Sequence, residues 1–484
     1  MRTGKEYLAA QKDGRAVYID GELVADVTQD PRLSGGAQTV AELYDLQNRP
    51  DIIDTMSYLD PAGHRIGRTF QEPRSRELLT TRSEAIGHWM RHTFGIFGRS
   101  PDYMNVILAS MNAGAAFFDE STVNSGFAAH VRAYYDFCSQ NDLALTHVNV
   151  NPQVDRSKPV HEQEYDLACK VVKETDAGFY ISGARMVATL GALADELLFM
   201  PSGMVPAAEA AADYALMFAL PAATDGLKII CRPTITPQNA GHPLDHPLSS
   251  RFDETDAYII FDNVFVPWER AFIYRDPALY NTYYGRTLSG NHQLHQGLIR
   301  SVCKAEFFTG LACYLAQATN VDQFPNVKNT LARLLLHTET QRILVERLDE
   351  KAEVSEWGTY IARTVDLDLA HTLFYEKFEE MVAAIRTIGA GGIVAMPSYA
   401  DLDGPLGEQV GHFYRSANLD SADRIQLFRL AADAAISTLA GRQVLYEQYY
   451  AGDPVRRANA VYNRFPKDHL LALVEEALAQ MKTR

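Results

Sequence analysis

Cysteine is scarce in this chain. Five occur in 484 residues, at positions 138, 169, 231, 303 and 313, with no CxxC pair. An odd and widely spaced set offers no disulfide framework, zinc ribbon or iron–sulfur motif. Each thiol reads as a small apolar core residue in a reducing cytoplasm. Positive charge is also short, with 45 Lys+Arg against 61 Asp+Glu and a net charge of −16. Nucleic acid and anionic membranes both require a basic face, so neither is expected as a main partner. No stretch approaches the ~20 apolar residues that span a bilayer. The opening Met1-Arg2-Thr3-Gly4-Lys5-Glu6 lacks the apolar core of a signal peptide. GxGxxG, GxxxxGK[ST], GxSxG and HExxH are all missing, so no Rossmann dinucleotide site, P-loop, nucleophile elbow or zincin is expected. The nearest glycine cluster, Gly389-Ala390-Gly391-Gly392, follows a helical pattern and reads either as a helix stop or as a turn beside a cofactor.

What is present is a hydrophobic fraction of 47%, ample for a folded core. Apart from a hairpin pattern at Val17 to Val27, residues 1–138 are mainly helical in period. Residues 139–277 switch to short apolar runs broken by Gly, Pro, Asp and Asn, the mark of an antiparallel β barrel or sandwich. Residues 278–484 return to a 3.6 period, with four long helices over 298–316, 329–354, 367–388 and 421–450. This α+β, three-part order resembles the acyl-CoA dehydrogenase-like architecture, with a flavin between the β part and the C-terminal four-helix bundle.

Several polar clusters interrupt these patterns. In GRSPDY, Arg99 and Tyr103 flank a Pro-initiated helix start, whose free N–H groups attract anions. The pair suits a phenolate or carboxylate, or is simply a capping loop with a surface arginine. In THVNVNPQVDRS, His147, Asn149, Asn151, Gln153, Asp155 and Arg156 alternate with apolar residues. An amide-rich strand edge suits a heterocycle with many donors and acceptors, such as an isoalloxazine ring. Thr189 ends a strand pattern, and Ala451-Gly452-Asp453-Pro454 breaks a helix where backbone N–H groups meet Arg456 and Arg457. His292 and His295 have HxxH spacing without evident partner ligands for a metal, so none is expected.

Together with FDNVFVPWER, NHQLHQ and IGAGGIVAMPS, these segments resemble the 4-hydroxyphenylacetate 3-hydroxylase oxygenase family along essentially the whole chain. The resemblance implies a two-component flavin monooxygenase. Reduced FAD comes from a separate NAD(P)H:flavin reductase, O2 is the co-substrate, and a C4a-hydroperoxyflavin hydroxylates a phenol ortho to its hydroxyl. It implies a homotetramer, a dimer of dimers. By position it assigns Arg99, Tyr103 and His147 to substrate and catalysis, and Pro201 and Ser202 to a substrate loop. It assigns His147, Val148, Asn149, Gln153, Val154, Asp155, Arg156, Thr189 and Ala451, Gly452, Asp453 and Pro454 to FAD. It places a catalytic histidine beside the flavin, with His295 favoured over His292. The related 4-hydroxybutyryl-CoA dehydratases hold an iron–sulfur cluster on three cysteines and a histidine. Two of those cysteines would lie in the 99–103 region, where this chain has none, and one nearby thiol, Cys303, cannot hold a cluster. An acyl-CoA dehydrogenase or a non-catalytic flavin carrier are further alternatives.

Overall fold

The computed structural model describes residues 1–152, 154–238 and 242–482. The helix Pro101–Ala113 is buried on every side from Pro101 to Met111, so it is a core helix rather than an amphipathic surface one. Proline at its first position costs no hydrogen bond, because that N–H has no intrahelical partner.

Two sheets follow, packed face to face. The larger runs in the order Glu22–Leu23, Ala16–Ile19, Leu227–Cys231, Asp256–Pro267, Gly178–Thr189, Lys170–Thr175. The smaller runs Ala271–Tyr274, Leu216–Pro221, Glu196–Phe199, Leu145–Val148. Phe179 and Phe261 from the first sheet interdigitate with Phe199 and Phe218 from the second, and Phe199 stacks on Phe218 at 4.5 Å. The expected wholly antiparallel unit is corrected in two places. Ala16–Ile19 runs parallel to Leu227–Cys231, and Leu145–Val148 runs parallel to Glu196–Phe199. The N-terminal hairpin is therefore the edge of the large sheet, joined across some two hundred residues.

The C-terminal part is built around the 30-residue helix Ser289–Ala318, packed by Pro325–Glu350 and Thr364–Gly389. The single expected helix over 421–450 is two, Ser421–Ala435 and Thr438–Tyr449. Ser437 restarts it by accepting the N–H of Ala440 at 3.2 Å. The last helices, Pro454–Arg464 and Asp468–Lys482, bury no residue. Leu470, Leu471, Leu473, Val474, Leu478 and Met481 are all exposed on the second. Among the described residues no helix is long and apolar enough to cross a membrane.

Candidate active site

The loop before the 101–113 helix carries Arg99 into the interior, where it is 7% exposed. Its guanidinium lies 4.1 Å over the ring of Tyr103 and 5.2 Å from that of Tyr446, and donates to the Tyr446 hydroxyl. Cation–π contacts of this kind are worth ~2 kcal/mol when desolvated. Gly98 makes the approach possible, because a Cβ there would lie 2.6 Å from Cζ of Tyr446. Gly98→Ala is therefore expected to push Tyr446 off Arg99. Overpacking costs about 1–3 kcal/mol, and a lower melting temperature would register it.

The ring of His147 sits 5.4 Å from that of Tyr103, centroid to centroid. Burial, and secondarily Arg99, hold the imidazole well below its ordinary pKa, so it is neutral. Burial raises the Tyr103 phenol, partly offset by Arg99 and by Gln293, whose amide donates to it. Arg99, Tyr103 and His147 thus form one assembly.

The strand that presents His147 continues into the predicted flavin stretch. Val148 is buried. The side-chain amide of Asn149 donates to the Tyr284 hydroxyl at 3.3 Å, and the backbone carbonyl of Asn149 accepts from Arg185 at 2.5 Å. Nδ1 of His147, Oδ1 of Asn149, Oδ1 of Asn151 and Nε of Arg185 are buried without hydrogen-bond partners. Orphaned buried polar atoms are costly. Four of them along one strand edge and its neighbour fit a ligand with the alternating donors and acceptors of a flavin. Val154, Asp155 and Arg156 are exposed, and Asp155 is occupied locally by Ser157 at 2.6 Å. Gln153 lies outside the described residues.

Thr189 closes the 178–189 strand on a strained turn. Val187 and Leu190 both have left-handed backbone, with φ of 64° and 60°. Val187 is the extra residue where the pairing to Ala257 and Tyr258 shifts register. A β-branched side chain at positive φ is costly, and such outliers cluster at ligand sites. Val187→Gly is expected to leave thermal stability unchanged or higher, whereas glycine in the regular part of a strand, as at the similarly exposed Ile230, lowers it.

The Thr189 hydroxyl donates to Asp256 at 2.7 Å. Pro201 is buried, and the Ser202 backbone N–H donates to Tyr280 at 2.7 Å, which pins the predicted substrate loop to the 277–287 helix. In the late loop Gly452 takes a φ of 109°, Asp453 caps the next helix by accepting from Arg456 N at 2.9 Å, and Pro454 opens it. The Ala451 carbonyl accepts from Arg457 at 3.1 Å.

The two histidines of the 289–318 helix turn elsewhere. Nδ1 of His292 accepts from Arg82 at 2.8 Å, and Nε2 of His295 lies 2.9 Å from Asp349. Gln293 and Gln296 face the assembly instead, reaching Tyr103 and Asp102. Among the described residues no group of three or more His, Cys, Asp or Glu is arranged to hold a metal ion.

Sequence reasoning missed a group of buried polar residues behind Arg99. Glu254, fully buried, accepts the backbone N–H groups of Gly98 at 2.7 Å and Arg99 at 2.5 Å. Arg300 pairs with Glu447 at 2.8 Å, and Lys304 contacts the same carboxylate. The signal for part of this group was a polar stripe at helical spacing, Gln293, Gln296, Arg300 and Lys304, on the 289–318 helix.

Comparison with known proteins places this geometry. Residues 3–273 match the family model for the 4-hydroxyphenylacetate 3-hydroxylase N-terminal region, and residues 280–479 match that for its C-terminal region. The 4-hydroxyphenylacetate 3-monooxygenase oxygenase component of Thermus thermophilus is 37% identical over 99% of this chain and 98% of its own. A crystal structure of such a component, complexed with FAD and 4-hydroxyphenylacetate, superposes with a TM-score of 0.94 at 37% identity, covering 100% of this chain and 99% of the other. An archaeal 4-hydroxybutyryl-CoA dehydratase shares the fold, at a TM-score of 0.87 and 20% identity over 99% of this chain and 95% of the other. That likeness extends to architecture alone, and residues 99–103 contain no cysteine. From its matched regions and its full-length relatives, the chain belongs to the 4-hydroxyphenylacetate 3-hydroxylase family of flavin-dependent aromatic monooxygenases.

Proposed function

We propose that this chain is the oxygenase component of a two-component monooxygenase that hydroxylates a phenol, with 4-hydroxyphenylacetate as the default substrate and the position ortho to its hydroxyl as the target. The observation that carries this reading is the convergence of Arg99, Tyr103 and a neutral His147 in one interior assembly.

A phenolate is far more nucleophilic than a phenol, so the site must take a proton from the substrate hydroxyl. Neutral His147 offers a ring nitrogen as acceptor, and because burial and Arg99 disfavour the imidazolium, the transfer is drawn by stabilisation of the phenolate rather than by a strong base. Arg99, fixed by Tyr446 and by the Glu254 grip on its backbone, stabilises the anion that forms. Tyr103 adds a phenol beside them. The Pro201–Ser202 loop, held by Tyr280, shields this corner from water. Reduced FAD, when bound, supplies with O2 the electrophilic oxygen atom. His147, Val148, Asn149, Gln153 to Arg156, Thr189 and Ala451 to Pro454 would hold it. His295, with its ring beside Asp349, belongs to the flavin-side wall in this reading.

We further propose the division into 1–138, 139–277 and 278–484, a cytoplasmic location, a separate NAD(P)H:flavin reductase as partner, and a homotetramer arranged as a dimer of dimers. The exposed leucines of the 468–482 helix support self-association, because an unpartnered apolar helix face is costly in water. Native mass spectrometry reads the last point. The activity is tested with a panel of phenols and chemically reduced FAD, scored by product mass. Gain of one oxygen atom is expected, and a protein that binds reduced FAD but oxygenates no phenol overturns the reading.

A further inference from the structure

Arg442 stands at a junction that neither the proposed catalytic group nor the flavin stretch accounts for. Its Nε and Nη2 grip Asp256 at 2.8 Å each, and Asp256 holds the Thr189 hydroxyl at 2.7 Å. Its Nη1 lies 3.3 Å from Oε2 of Glu254, and its Nη2 donates to the Glu254 carbonyl at 3.1 Å. The other oxygen of Glu254 receives the backbone N–H groups of Gly98 and Arg99. An unbroken polar chain therefore runs from Arg99 through Glu254, Arg442 and Asp256 to Thr189. It joins the residue assigned to the phenol to a residue assigned to the flavin, through one side chain of the 438–449 helix.

The chemistry of arginine suits this task. A planar guanidinium with five donors holds two carboxylates in a fixed relative orientation, which the point charge of lysine does not. A shift of Asp256, when a ligand engages Thr189, must turn the plane and carry Glu254 with it. We propose that Arg442 is a positioning residue that couples phenol binding to flavin binding, so that each ligand tightens the other. This rests on the functional reading above and adds to it a named mechanical link.

The link is measurable as a coupling factor, the ratio of reduced-FAD dissociation constants without and with saturating 4-hydroxyphenylacetate, determined anaerobically on the full-length protein. Coupling between sites is reciprocal and is typically at least about fivefold. That is the result expected for the unsubstituted protein. In Arg442→Lys the ratio should fall close to one while both ligands still bind. Asp256 retains Arg232 at 3.0 Å and Glu254 retains its two backbone donors, so no buried carboxylate is stranded. Should Arg442→Lys fail to fold, Glu254→Gln cuts the phenol end and Asp256→Asn the flavin end, and each should collapse the ratio by itself. A purely structural role would lower the melting temperature and leave the ratio unchanged. An unchanged ratio in variants that bind both probes overturns the proposal, as does a ratio of one in the unsubstituted protein. If that protein still oxygenates phenols, only the coupling fails. If it binds neither probe, the functional reading fails and the coupling with it.

Discussion

His147→Ala is expected to lower the rate of phenol hydroxylation about 10²–10⁴-fold, the span associated with loss of a positioned proton acceptor. Reduced flavin should still be consumed, with hydrogen peroxide formed in place of hydroxylated product. The fold should survive, because the ring touches Tyr103 and its Nδ1 has no partner to strand. His147→Gln keeps an acceptor but no base and should be nearly as slow. The ionisation has a definite sign. Burial and then Arg99 depress the folded pKa well below the ordinary 6.5, so the unfolded chain takes up this proton first as pH falls. The stability tied to the neutral ring is present above about pH 6.5 and is lost below it. His147→Ala should lose that dependence and gain, relative to the unsubstituted protein, in mild acid. Hydroxylation by the unsubstituted enzyme should show no acid limb near 6.5. Product yields in the alanine variant equal to those of the unsubstituted protein would refute the assignment.

The second large effect is on stability. Glu447 is the shared counter-charge of buried Arg300 and Lys304. Burial pushes its carboxyl up, but the two cations overcome this and hold it down at about 2. Removing one partner of a buried ion pair strands the other charge, at about 3–5 kcal/mol. Glu447→Gln should cost that much in urea unfolding at pH 7. Burial, opposed by Glu447 and reinforced by Arg300, already lowers Lys304 to about 7. Its folded pKa lies below the unfolded value of ~10.4, so its contribution to stability rises as pH climbs from 7 to 10. Without Glu447 the ammonium is harder still to keep, and deprotonation relieves it. The deficit of the variant should therefore shrink between pH 7 and 10. A loss under 1 kcal/mol, or one that grows with pH, would contradict this account. Arg300 also lies 5.0 Å from the ring of Tyr446, so the variant should bind the phenol more weakly as well.

Much of the site is legible in the amino-acid sequence. Pro101 marks the helix start that positions Arg99 and Tyr103, and the amide-rich run after His147 marks the segment that carries buried, unpartnered polar atoms. Both signals are local, a matter of residue type and spacing within about a dozen positions. Gln293, Gln296, Arg300 and Lys304 are equally visible as a stripe and escape notice because a polar stripe on a helix ordinarily faces water. Glu254 and Arg442 have no local signal. Charged residues at a strand start and on a helix read as solvated until their partners are known.

By itself the sequence determined the α–β–α order, the helices and strands through their periods, the thiol-poor interior and the residue types clustered at 99–103 and 147–156. Only the tertiary structure decided that Ala16–Ile19 completes a sheet beside Leu227–Cys231, that His295 meets Asp349 while Gln293 meets Tyr103, and that Arg442 ties Glu254 to Asp256. The reason is physical. Period and capping depend on neighbours a few residues away, whereas which buried charge meets which depends on contacts between segments far apart in the chain, 188 residues in the case of Arg442 and Glu254.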